Sequence, residues 1–155
     1  SVDSKKNVYV TGRTEGNFDS ALNLGGFDIF ISKLNSDGLR QWTKQIGSIQ
    51  NDNGYDLVLD KNNNLYLTGR TQGGINSNDN FGNYDLFLYK IKGDGTEEWY
   101  KQIGSSESDV GRGITIDSKN SLFLTGYTYG NLDTNNNNGS SDIFLMKFNS
   151  DGALQ

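Results

Sequence analysis

The sequence contains no cysteine, no histidine and no proline. Without cysteine there are no disulfides, no thiolate metal ligands and no thiol nucleophile. Without histidine there is no serine–histidine triad, no imidazole ligand and no side chain that switches charge near neutrality by default. Glutamate is sparse: Glu15, Glu97, Glu98 and Glu107 are all there is. Positive charge is also in deficit. The net charge of −5 excludes the basic surface that nucleic acid or an anionic membrane requires. No apolar run approaches the roughly 20 residues of a membrane span. Only 33% of the 155 residues are apolar, too few for one wide core, yet aromatics reach 12%, which separates the chain from disordered compositions. Glycine, at 20 residues, is plentiful.

What the sequence does have is a repeat. Asp3, Asp60 and Asp117 follow one another at intervals of 57 residues. Thr11-Gly12, Thr68-Gly69 and Thr125-Gly126 keep the same interval, as do Asp28, Asp85 and Asp142, and Gly38, Gly95 and Gly152. Trp42 returns as Trp99, and Lys44-Gln45-Ile46-Gly47 as Lys101-Gln102-Ile103-Gly104. A fixed period of this length marks a stacked supersecondary unit. The copies divide the chain into 1–57, 58–114 and a shorter 115–155.

In the middle copy, residues 55–59 read as a strand A, 65–71 as B, 84–91 as C and 97–103 as D. Clusters of Asn, Asp and Gly bound each of them, the antiparallel signal. No stretch shows helical periodicity. Strands B and C are apolar on both faces, as in Leu122-Phe123-Leu124 and Ile143-Phe144-Leu145-Met146, so both faces need cover. Strand D is more polar, as an outer strand should be. A repeated four-stranded antiparallel unit buried on both faces is a β-propeller blade. The fold class is therefore all-β, with about three blades, partial at both ends. Ten strands are expected, in the order B-C-D, A-B-C-D, A-B-C. Closed propellers need about four to eight blades, so the chain reads as a piece of a longer propeller or as a unit completed by another chain.

Four motifs carry a family resemblance. They are Gly-Tyr-x-Leu-x-Leu-Asp at 54–60, Asn-x-Tyr-x-Thr-Gly-x-Thr at 64–71, Asp-x-Phe-x-x-Lys-x-x-x-Asp-Gly at 85–95 and Trp-x-Lys-Gln-Ile-Gly at 99–104. Together they resemble the bacterial SBBP beta-propeller repeat. The resemblance implies a propeller blade and an extracytoplasmic home, secreted or at the cell surface, and supplies no catalytic residue. The long Asn-rich B–C loops depart from the usual pattern of that repeat.

Alternation of strands puts the short A–B and C–D turns on one rim and the long B–C loops with the D–A connectors on the other. Variable loops on a rigid scaffold are where binding resides. The candidate contacts are Asn17, Phe18, Asp19, Asn76, Asn131 and Asp133 at matching loop positions, with Phe18, Ile75 and Leu132 as the apolar residue of each loop. Tyr129 joins them because Tyr127 and Tyr129 replace Arg70 and Gln72, making the third copy more aromatic. Against this stands a plain reading in which Asn and Asp fill turns and the apolar residues tuck the loops down. Asp28, Asp85 and Asp142 read as carboxylates accepting backbone or Thr hydroxyl hydrogen bonds. Lys33, Lys90 and Lys147 read as structural, and Trp42 and Trp99 as inter-blade packing. The Asp60 turn begins like a calcium loop, but Lys5 and Lys119 stand at its third position in the sister copies and no bidentate Glu follows. A β-turn is expected, and no metal or cofactor.

These features lead to a non-enzymatic propeller segment that acts as a binding or structural module. Its expected partner is a protein or a glycan, with no nucleic acid and no membrane insertion, and further blades or a second copy alongside. Two alternatives remain open at this level. One is part of a polysaccharide hydrolase whose site lies in other blades; the other is an assembly unit that closes a ring with a second chain.

Overall fold

The computed structural model describes residues 1–18 and 21–155. Every regular element in it is a strand. In chain order these are β1 (Val8–Thr14), β2 (Asp28–Leu34), β3 (Arg40–Ile46), β4 (Asp52–Leu59), β5 (Leu65–Thr71), β6 (Asp85–Ile91), β7 (Glu97–Ile103), β8 (Asp109–Ile116), β9 (Leu122–Thr128) and β10 (Asp142–Phe148). They form three antiparallel sheets: β1-β2-β3, β4-β5-β6-β7, and β10-β9-β8. The order is the expected B-C-D, A-B-C-D, A-B-C. Strand ends differ by a few residues. Strand A begins at Asp52 rather than 55, because Asn53 and Gly54 also enter the ladder ahead of a bulge at Tyr55. Val2 pairs with Val8 beside β1, and Leu154 with Phe148 beside β10.

Local chemistry sets each hairpin. Asp60 holds its turn by accepting the backbone N–H of Asn62 at 2.8 Å and of Asn64 at 2.9 Å, with the Asn64 amide on the other oxygen. Asp3 and Asp117 do the same one period away. The C–D turns close on Gly38, Gly95 and Gly152, all at positive φ (78°, 92° and 76°), where a side chain would be strained. The recurrent Thr-Gly pair has two jobs. The hydroxyls of Thr11, Thr68 and Thr125 donate to the carbonyls of Phe30, Phe87 and Phe144 on the neighbouring strand, at 2.8–2.9 Å. The glycine after each leaves room for that Phe ring. At Gly69 a Cβ would also lie 1.9 Å from the Asn53 carbonyl oxygen, and at Gly126 the same distance from that of Val110.

The sheets then stack face to face. Tyr9, Ile29, Ile31 and Ile46 of the first blade bury against Leu57, Leu65, Leu67, Phe87, Tyr89 and Ile91 of the second. The other face of the second blade, with Tyr66, Leu86 and Leu88, buries against Ile114, Leu122, Leu124, Met146 and Phe148 of the third. The two seams use equivalent positions. Trp42 packs edge-on to Tyr9 and lies over Gly95 of the next blade; Trp99 repeats this with Tyr66 and Gly152. Lys33 Nζ reaches across to the Gly93 carbonyl at 2.9 Å, and Lys90 Nζ to that of Ser150 at 3.2 Å. Trp42, Trp99, Lys33 and Lys90 are structural, as expected, while Lys147 is exposed. Among the inter-blade approaches, those of β4 to β8, β5 to β8 and β1 to β4 stand out. The blades thus converge at their inner strands, the radial arrangement of a propeller segment.

Burial follows position in the stack. The middle blade is covered on both faces, and all of β6 is buried. Each end blade shows one bare face. Leu88 is fully buried, while its counterpart Leu145 is 72% exposed. Leu88→Ala should therefore lower unfolding free energy by about 2–5 kcal/mol, whereas Ile49→Ala, at a connector side chain that is 83% exposed, should change it by less than about 0.5 kcal/mol. Urea melts of the two variants beside the parent chain read the difference directly.

Candidate functional site

The long-loop rim is built on a repeated buried carboxylate pair. Asp28 starts β2 and accepts the Leu24 N–H and the Gln45 side-chain amide on Oδ2, at 2.8 and 3.0 Å. Asp85 does the same with Phe81 and Gln102, both at 2.8 Å. Asp142 accepts the Asn138 N–H. The backbone donors match expectation; the other donor is glutamine and not a threonine hydroxyl. The threonine serves a different aspartate. Thr71 Oγ1 donates to Asp52, which also takes the N–H and hydroxyl of Ser48. Asp109 takes the equivalent donors of Ser105. The sequence signal for this second aspartate is the recurrent Gly-Ser-x-x-x-Asp at 47–52 and 104–109, a pattern additional to those that define the candidate site in the sequence.

Gly47 lies between the members of one pair. A Cβ there would sit 2.2 Å from Asp28 Oδ1 and 3.0 Å from Asp52 Oδ2. Burial raises the Asp52 pKa above its ordinary 3.8, and the nearby Asp28 charge adds to this, against the hydrogen bonds of Thr71 and Ser48. Burial likewise raises Asp85, with the Asp109 charge adding and the donors of Phe81 and Gln102 opposing. These pairs lock the B–C loop of one blade to the D–A connector of the next. Asp52 N–H donates to the Phe27 carbonyl, and Asp109 N–H to that of Tyr84, both at 2.6 Å.

The predicted contact residues divide by role. Asn17 Oδ1 accepts the Asn23 N–H, and Asn131 Oδ1 that of Asn137, both at 2.8 Å, so each amide closes its own loop. Phe18 stacks on Phe30 with centroids 5.4 Å apart, and Ile75 and Leu132 are buried, so these three tuck the loops down. Asp19 lies outside the described residues. Asn76 and Asp133 are exposed, with positive φ of 54° and 57°, a conformation their short polar side chains accept. Among the described residues, no hydrogen bond joins one loop tip to the next. The Asp60 carboxylate is committed to its turn, and no cluster of three or more acidic groups suited to a metal occurs among the described residues.

The rim does assemble one cluster that crosses blades. Tyr55 and Arg112 are the bulged residues of β4 and β8, outside the Cα pairing of their ladders. Arg112 lies over the Tyr55 ring at 4.4 Å and the Tyr127 ring at 5.4 Å, and donates to the Tyr127 hydroxyl at 3.2 Å. Tyr127 meets Tyr129 edge to face at 5.8 Å. Arg70 lies over Tyr84 at 4.0 Å. Tyr129 is 46% exposed and Arg112 is exposed. Sequence reasoning found the two tyrosines; it missed Tyr55 and Arg112, because a bulge has no periodic signature. Guanidinium over aromatic rings is a favourable pairing that leaves most of its N–H donors open to an acceptor.

The raised carboxylates fix a pH response. A native pKa above the unfolded value gives stability that is full below 3.8 and is lost as pH rises through the native value. The Asp52 contribution to the melting temperature should therefore grow as pH falls from neutrality towards about 4. Asp52→Asn should flatten that part of the curve, as read by thermal melts across this range.

Comparison with known proteins agrees with this architecture. The family model described as a beta-propeller repeat, SBBP, matches residues 41–76 and again 98–133. Each match runs from strand D of one blade through strands A and B of the next into the B–C loop. No curated protein matches the chain. The two matched stretches lie 57 residues apart and fall at the same place in successive copies, so residues 41–76 and 98–133 are each similar to the SBBP beta-propeller repeat.

Proposed function

We propose that the chain is a non-catalytic propeller module of an extracytoplasmic bacterial protein, and that it binds a protein or glycan partner through the long-loop rim. The observation that carries this reading is the Tyr55–Arg112–Tyr127–Tyr129 cluster. It joins two blades and presents exposed aromatic and guanidinium groups; at the position of Tyr127 the first copy has Arg13, which is instead tied to Asn53 Oδ1 at 3.0 Å. Aromatic faces beside hydrogen-bond donors suit a sugar or a carboxylate-bearing peptide surface. Asn76 and Asp133 supply open polar groups elsewhere on the same rim.

The non-catalytic assignment rests on residue chemistry. The buried aspartates are enclosed and hydrogen-bonded within the blade junctions, away from solvent. Glu97 and Glu98 belong to an outer strand, where Glu98 pairs with Lys90 at 3.3 Å. The extracytoplasmic home is what the SBBP resemblance implies.

Binding to neutral and acidic glycan arrays, and to bacterial envelope proteins, tests the proposal. Tyr129→Ala and Arg112→Ala should each weaken the captured ligand by about tenfold or more, the behaviour of an interface hot spot. Substitution on the opposite rim, as in Lys61→Ala, should leave binding unchanged. Equal binding by all three variants, or no ligand from either source, would overturn it.

A further inference from the structure

The middle blade carries an arginine that the fold leaves without an acceptor. Strand B bears Arg13, Arg70 and Tyr127 at one position of the period. In the first seam Arg13 Nη1 donates across the blades to Asn53 Oδ1 at 3.0 Å. One period on, the place of Asn53 is taken by Val110, which is buried and has no side-chain acceptor. Arg70 makes no hydrogen bond among the described residues, and its Nε is buried without a partner. A guanidinium has five N–H donors, and a buried donor left unmet is costly. Arg70 lies over the Tyr84 ring at 4.0 Å and 6.0 Å from the centroid of Tyr55. Arg112 of the next blade lies over that same Tyr55 ring at 4.4 Å. Two guanidinium groups thus share one aromatic ring. The chain has a surplus of carboxylates, yet among the described residues none forms an ion pair with either arginine. Asp56, next to Tyr55, gives its oxygens to the backbone N–H groups of Leu57 and Ile114, at 2.9 Å each.

We infer that Arg70 and Arg112 together bind the carboxylate of an acidic sugar, of the uronic acid class, beside the Tyr55 ring. Like charges this close repel, and an anion held by both relieves the repulsion. The planar fork of a guanidinium matches a carboxylate through two parallel hydrogen bonds. The groups around the pair favour a sugar over an acidic peptide. The hydroxyls of Tyr55 and Tyr84 make no hydrogen bond among the described residues, and that of Tyr127 accepts one from Arg112 and has its own proton to give. A uronate carries hydroxyls on the same ring as its carboxylate and can meet these phenols, whereas an acidic side chain brings its carboxylate on an apolar stem. Arg70, Tyr55 and Tyr84 belong to the middle blade, which is covered on both faces, so two complete seams set their surroundings. The inference rests on the proposed role of the long-loop rim and narrows it to one ligand class.

Isothermal titration of the chain with oligogalacturonate and with oligomannuronate should show binding by at least one of them. The methyl ester of the oligomer that binds keeps the sugar and loses the charge, and should bind about tenfold more weakly or worse. Poly-glutamate should also bind more weakly than the acidic oligomer. Arg70→Gln should weaken the acidic oligomer by about tenfold or more, while Arg13→Gln, at a guanidinium already engaged with Asn53, should leave it unchanged. Val110→Asn supplies the acceptor that the first seam has, so it should weaken binding with Arg70 still in place. Circular dichroism confirms that each variant is folded. Equal binding of acid and ester, tighter binding of poly-glutamate, or no binding of either acidic oligomer would overturn the inference. Capture of a different glycan or an envelope protein through Tyr129 and Arg112 would then leave the broader rim role standing, and failure of that capture would end both.

Discussion

Burial of one sheet against the next is the constraint on which this protein depends. A single four-stranded sheet that is apolar on both faces has nowhere to hide them. Stacking solves this only if every blade presents the same two complementary faces. The 57-residue period is the sequence record of that requirement: Tyr9 and Tyr66 fall on one face, Leu65 and Leu122 on the other. Stability is then a sum over seams, as in other repeat architectures, and a modest apolar content suffices because each seam is thin.

Polar groups fix the spacing that packing alone leaves loose. Lys33 and Lys90 cross the seams near the short-turn rim, while the Asp28–Asp52 and Asp85–Asp109 pairs cross them near the long-loop rim. Each seam is pinned at both ends. The pairing of two aspartates around one glycine is electrostatically unfavourable in itself, and it persists because serine, threonine, glutamine and backbone donors converge on the carboxylates. At the exposed turns the balance is reversed. There the Ser121 N–H holds the Asp117 carboxyl below its ordinary value, with Lys119 N–H assisting.

Most of this architecture was legible in the sequence, and the reason is the repeat. Strand order, hairpin turns, the outward polarity of β3 and β7 and the packing role of Trp42 follow from residue types that recur at a fixed interval. The candidate site was legible only in part. Asn17, Asn131 and Phe18 read as contacts from their place in loops, yet their side chains close or anchor those loops. Tyr129 stood out as a departure from the period. Arg112 and Tyr55 did not, because what brings them together is a shift in strand register at Gly54/Asp56 and Gly111/Gly113. Register is set by three-dimensional pairing, and no local pattern announces it.

That shift frees Tyr55 of β4 and Arg112 of β8 from the alternation that governs their neighbours on the same strand. Tyr55 is half-buried and Arg112 exposed, so the identity of the bulged residue is decoupled from the full burial that fixes its neighbours. Tyrosine stands there in one copy and arginine in the next. The scaffold thereby carries an addressable position on each inner strand, where the chemistry beside the rim can be rewritten by one codon while the stack that holds it stays the same.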